Sequence, residues 1–151
     1  MSTSPGKVKT RHSLRRTRNT RQPTILVVED HDDTREMLHM LLEMWGCRVV
    51  EALDGLEAVA AASRERPEMI LMDGSLPFLD GLEATRRIRE NGLRDQVKIL
   101  ALDGWGTQSY HAAALAAGCD DSIKKPLDFD LLHKYLAPLF DTSSSCSRGI
   151  A

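Results

Sequence analysis

No stretch of the 151 residues is apolar for the length that a membrane-crossing helix needs, and the N-terminus has no apolar core of the kind that heads a secretory signal. Cysteine is scarce. Cys47, Cys119 and Cys146 form no CxxC pattern and cannot all pair within one chain, so a disulfide framework is not expected. Cys47 and Cys119 lie in apolar contexts and read as small hydrophobes, whereas Cys146 lies in a polar end. Acids are missing from residues 1–22, which carry seven Lys and Arg, so this arm is +7 and the remainder −9. The arm also lacks aromatics, which argues against base stacking. Nucleic acid or an acidic protein remains a possible partner for it, because clustered cations without acids bind phosphate in a salt-dependent way. A cytoplasmic protein is the expectation.

Both ends, 1–22 and 141–151, are polar and aperiodic and read as disordered. Residues 23–140 are long enough for one domain with a sizeable core. Within them five short apolar runs alternate with helix-period segments: ILVV (25–28), RVV (48–50), MILM (69–72), KILAL (98–102) and SIK (122–124). Leu38, Leu41, Leu42 and Trp45 make one helical stripe, Leu56, Val59 and Ala60 begin a second, and Leu131, Leu132, Tyr135, Leu136 and Leu139 form the last. Two more helices, near 82–90 and 107–117, fill the remaining gaps. Gly46, Gly92 and Gly118 stand where helix ends are expected. No internal repeat is present.

Such alternation implies a parallel sheet with helices on both faces. The runs at 25–28, 69–72 and 98–102 are continuously apolar, as central strands should be, and the charged, shorter runs at 48–50 and 122–124 suit edges. The predicted strand order is therefore 2-1-3-4-5. Ligands of these sheets bind beyond the carboxyl ends of the strands. Standing there are Glu29 and Asp30 after the first strand, Asp73 after the third, Asp103 after the fourth, and Lys125 before Pro126 after the fifth. Four acids on one rim would repel by roughly 4 kcal/mol per close pair at an effective dielectric near 20. A cation among them relieves that. Oxygen ligands without thiol or imidazole at those positions point to a hard ion, Mg²⁺ or Mn²⁺. His31, His39, His111 and His133 show no ligand spacing and are expected to serve at the surface.

The segments VVED (27–30), LMDGSLPFLDG (71–81) and KKP (124–126) resemble the receiver domain of two-component response regulators, over about residues 24–140. The resemblance implies a flavodoxin-like, doubly wound α/β fold. It makes Asp73 the phosphoacceptor for a histidine kinase or phosphotransfer protein. Asp30, Asp73 and the Ser75 carbonyl would hold Mg²⁺, with Glu29 acting through a metal-bound water. Lys125 would pair with the phosphoryl oxygens, from a cis bond to Pro126. No enzymatic activity is implied beyond autocatalysed phosphoryl acceptance and hydrolysis.

Two positions depart from the family pattern. Receivers usually carry Ser or Thr where this chain has Asp103, and an aromatic or His where it has Ser122. Asp103 would add a metal or water ligand, or mimic a missing phosphate, or leave Thr107 or Ser109 to supply the hydroxyl. Trp105 is either a partner contact, a gate for water or ordinary packing. With only 11 residues after 140, a stand-alone receiver is expected, signalling to an unknown protein target through Tyr110, Ser122, Lys124 and the last helix. The alternatives are a phosphorylation-independent adaptor and a flavodoxin-like mononucleotide binder. The second is disfavoured by an acidic loop where a phosphate cradle would be rich in Gly, Ser and Thr.

Overall fold

The computed structural model describes residues 22–92 and 97–140. The basic arm to residue 21, and residues 141–151 with Cys146, lie outside them. Five strands, β1 (Thr24–Val28), β2 (Arg48–Ala52), β3 (Met69–Asp73), β4 (Lys98–Asp103) and β5 (Asp121–Lys124), alternate with helices α1 (Asp32–Met44), α2 (Gly55–Glu65), α3 (Gly81–Glu90), α4 (Gln108–Ala117) and α5 (Phe129–Phe140). The sheet is parallel throughout, in the order β2-β1-β3-β4-β5. This is the strand order that the run lengths predict and the flavodoxin-like fold that the resemblance implies. Pro23–Phe129 form one compact unit. In α5, which continues beyond it, Leu132 and Leu136 are buried, whereas Leu131 of the expected stripe is exposed.

Every residue of β3 is buried, as are Ile25–Val28 and Ile99–Asp103. Side chains alternate between the two faces of these strands. Leu26, Val28, Ile70, Met72, Ile99 and Ala101 meet the small residues of α2, α3 and α4 in one continuous core. Each large aliphatic side chain fully withdrawn from water contributes about 1.5–3 kcal/mol. β2 and β5 keep partly exposed positions, as edge strands do.

Helix starts follow from short polar side chains just past the strands. Asp54, Asp80 and Thr107 each accept a hydrogen bond from the backbone N–H three residues on, at Glu57, Glu83 and Tyr110. The predicted stripes are corrected in two helices. In α1, Leu38 and Leu42 are buried, but Leu41 and Trp45 only partly so, and Met37, Met40 and Met44 are exposed. In α2, Leu56 is 53% exposed and Ala60 is also outside, while Gly55, Ala58, Ala61 and Ala62 face inward. The close approach of α2 to α3 and the sheet selects small volume over hydropathy.

Candidate functional site at the carboxyl ends of the strands

Strand register gathers the site. Val28 stands beside Met72, so the next residues, Glu29 and Asp73, emerge side by side from β1 and β3. Gly81 holds the following helix close, since a Cβ there would strike the Asp73 carbonyl oxygen. The result is a carboxylate-lined rim whose floor is the buried sheet: Glu29 is fully buried and Asp73 nearly so. Lys125, 96 residues beyond Glu29 in sequence, reaches back to both acids, with Nζ 3.4 Å from Glu29 Oε1 and 3.4 Å from Asp73 Oδ1. Its peptide bond to Pro126 is cis.

Burial, together with the neighbouring charge of Glu29, pushes the Asp73 carboxyl up to about 6. Glu29 moves the other way. Burial alone would raise it, but hydrogen bonds with His31 and Asp73 and the charge of Lys125 hold it below the usual range. Of these coupled carboxyls, Asp73 is the one that holds a proton more readily. The Ser75 backbone N–H donates to Asp73 Oδ1 at 3.2 Å, curling the loop over the carboxylate.

His31 stands at the surface, as expected, but its ring leans over this site. Its Nδ1 lies 3.1 Å from Glu29 Oε2 and 3.4 Å from Asp30 Oδ1, and its backbone N–H donates to the same Glu29 oxygen at 3.3 Å. The turn from β1 into α1 folds the ring back over the acids, a direction no periodicity reveals. These carboxylates hold the imidazole above its ordinary pKa, the Glu29 hydrogen bond foremost. One donor atom each from Glu29, Asp30, His31 and Asp73 lie within 4.8 Å of one another. Asp30 Oδ1 is shielded from solvent and, among the described residues, accepts no hydrogen bond, its one cationic neighbour there being His31 Nδ1 at 3.4 Å. An unbonded oxygen among acids is what a divalent cation would satisfy, and the donor set fits one.

Asp103 is not in that cluster. Register pairs Asp73 with Leu102 and Asp103 with Lys124, so Asp103 stands one residue beyond Asp73 on the alternate side of the sheet. Its Oδ1 accepts the N–H groups of Trp105 at 2.8 Å and Gly106 at 2.9 Å, tying down its own loop. Asp103, Ser122 and Lys124 instead share a cleft of about 230 Å³ with Thr107 and His111. His111 Nδ1 is 2.6 Å from the Ser122 hydroxyl. Thr107 is engaged in capping α4, and Ser109 is exposed.

Tyr110 departs from the expected output surface. Its hydroxyl is buried against Gly74 and has no hydrogen-bond partner among the described residues. Burial pushes its pKa well up. Its ring centroid is 5.1 Å from that of Trp105, whose indole is 58% exposed. A glycine directly after the strand-end aspartate is the sequence signal for this close approach.

Comparison with known proteins agrees with this geometry. The family description "Response regulator receiver domain" matches residues 25–137. The chain is 39% identical over 108 residues to response regulator MprA of Mycobacterium leprae (strain TN), covering 72% of this chain but 46% of that protein, so it spans about half of that relative's length. Among solved structures, it is similar to the receiver domain of sensor histidine kinase PA1611 from Pseudomonas aeruginosa PAO1, which has a magnesium ion coordinated in its active site cleft. The identity is 40% and the TM-score 0.69, over 77% of this chain and 95% of that one. It is also similar, at 28% identity and a TM-score of 0.73 over 80% and 90% of the chains, to a co-crystal structure of the Saccharomyces cerevisiae histidine phosphotransfer protein Ypd1 with the receiver domain of its downstream response regulator Ssk1. With five parallel strands in receiver order and the strand-end acids and lysine at one rim, the chain belongs to the response regulator receiver domain family of two-component signalling.

Proposed function

We propose that Asp73 accepts a phosphoryl group from a phosphohistidine on a histidine kinase or phosphotransfer protein, with Mg²⁺ or Mn²⁺, and that the signal passes on through protein contacts in the cytoplasm. The observation that carries this reading is the Asp73 carboxylate, withdrawn from water, beside Glu29 and 3.4 Å from Lys125 Nζ.

A carboxyl raised to about 6 is still largely ionised at neutral pH, yet more basic than a solvated aspartate. One Asp73 oxygen bonds to phosphorus as the donor's phosphorus–nitrogen bond breaks, and the electron pair leaves with the imidazole. The product is an acyl phosphate. Phosphoryl transfer needs positioning and neutralisation of the spread negative charge more than covalent help. Lys125 supplies a point charge, and the N–H of Ser75 fixes the carboxylate's direction. Glu29, Asp30 and Asp73 would hold the ion, with the Ser75 carbonyl as the family's further ligand; bound there, it would neutralise phosphoryl oxygens. Under this reading the chemistry is limited to phosphoryl acceptance and hydrolysis of the resulting acyl phosphate. Support for the partner class and the ion comes from the Ypd1–Ssk1 and PA1611 structures.

The deciding experiment incubates the protein with Mg²⁺ and acetyl phosphate and records intact mass. One added phosphoryl group, absent in Asp73→Asn, is expected. No gain in the wild-type chain would overturn the reading.

A second reading, a phosphorylation-independent adaptor, is favoured by Asp103 and Ser122. Asp103 is committed to its own loop and Ser122 to His111, in place of the family's hydroxyl and aromatic. Under this reading a partner captured by the protein binds wild type and Asp73→Asn equally, with or without acetyl phosphate.

A further inference from the structure

We propose that His31 is a nitrogen ligand to the divalent ion at this site and makes the site favour first-row transition ions over Mg²⁺. This rests on the receiver reading of the acidic rim and adds to it a residue that the oxygen-only set leaves out.

The geometry is specific. The imidazole is 74% exposed, so packing does not set its direction, yet Nδ1 faces inward to Glu29 Oε2 and Asp30 Oδ1. The backbone N–H of the same residue donates to Glu29, which anchors the turn. Ligands around one small ion at about 2.0–2.2 Å lie at most about 4.4 Å apart. The four donor atoms already fall within 4.8 Å, so modest side-chain rotation completes the set. Asp30 Oδ1, sheltered, without a hydrogen-bond donor among the described residues and 3.4 Å from Nδ1, is placed to join it on the ion.

Chemistry then decides which ion benefits. Mg²⁺ prefers oxygen and gives up water reluctantly, so replacing a water by imidazole gains it little. Affinity of a nitrogen donor rises from Mn²⁺ through Co²⁺ toward Ni²⁺. An imidazole at the rim therefore steepens the preference among ions without altering the acids that hold them.

The test titrates the full-length, chelator-treated chain with Mg²⁺, Mn²⁺ and Co²⁺ by calorimetry, for wild type and His31→Ala. The exposed position makes the variant tolerable to the fold, which circular dichroism checks. Co²⁺ affinity is expected to fall at least tenfold and Mn²⁺ affinity several-fold, with Mg²⁺ affinity within twofold or tighter. The wild-type Mn²⁺ complex is further expected to show imidazole ¹⁴N coupling in pulsed electron paramagnetic resonance, lost in His31→Ala. Equal loss for all three ions, or no ¹⁴N coupling in wild type, overturns the role of His31 while leaving the acidic site intact. If wild type binds none of the three at one-to-one stoichiometry, the metal reading of the rim falls as well.

Discussion

The hydroxyl of Tyr110 occupies the space in which a side chain on Gly74 would begin. The two residues are 36 positions apart and come from different βα units, so each constrains the other. Gly74→Ala is expected to destabilise by about 1–3 kcal/mol, because overpacking against a ring held by Trp105 has little room to relax. Tyr110→Ala alone also destabilises, by losing ring burial. The double variant should be less destabilised than the two losses added together, by at least about 0.5 kcal/mol. Urea unfolding of the four proteins measures this coupling, and simple additivity would contradict the contact.

Asp73 makes stability depend on pH with a definite sign. Its folded carboxyl titrates near 6, against an ordinary value of 3.8. Between those values the native state holds a proton that the unfolded chain has released, so unfolding free energy falls as pH rises from about 4 to about 6. The deficit stays above that window and vanishes below it. In the presence of chelator, Asp73→Asn is expected to be more stable than wild type by about 1–3 kcal/mol at pH 7.5, with that gain gone at pH 4. Thermal melts at both pH values check it, since each kcal/mol moves the midpoint by about 2–4 °C in a chain of this size. A gain independent of pH would show that the carboxyl is not the cause.

Asp103 is expected to act as a loop brace. Asp103→Ala leaves the N–H groups of Trp105 and Gly106 without their acceptor, and should cost about 1–2 kcal/mol. Asp103→Asn retains an oxygen acceptor and should recover most of that. Hydrogen exchange at Trp105 and Gly106 should quicken at least tenfold in the alanine variant and remain near wild type in the asparagine variant. Unchanged exchange in both would mean that the carboxylate is not what holds the loop.

Two thiols are expected to be inert in the native state. Burial pushes Cys47 and Cys119 up to about 11. At pH 8 only about one molecule in a thousand would carry either thiolate, and both are enclosed. Iodoacetamide should modify them at the rate at which the protein opens, which peptide mass mapping follows against urea concentration. Rapid labelling in native buffer would contradict that enclosure.

The sheet was legible because composition tracks depth. The three mainly apolar runs became the central strands, buried along Ile25–Val28, Met69–Asp73 and Ile99–Asp103, and the two charged runs became the edges. The meeting of Glu29, Asp73 and Lys125 was legible for the same reason, since strand order and a common polarity bring their ends together. Register was not. Asp103 follows its strand as Asp73 does, but the pairing of β3 with β4 runs one residue out of step with that equivalence, and this sends its carboxylate into the adjacent turn. Helix faces failed where space was tight: α2 turns alanines inward and leaves Leu56 outside. The inward lean of His31 and the burial of the Tyr110 hydroxyl were not legible, because turn direction and ring insertion leave no periodic trace.

The acids of the rim come from strands that are neighbours only in the finished sheet. An unfolded chain scatters them, so any cation they capture together is captured by the native state alone. The free concentration of that cation then enters the folding equilibrium directly, adding about 2.7 kcal/mol at a hundredfold excess over the dissociation constant. Ion supply would set how long the polypeptide survives as well as whether it can signal, and a variant weakened far from the rim should be rescued by salts of the preferred ion.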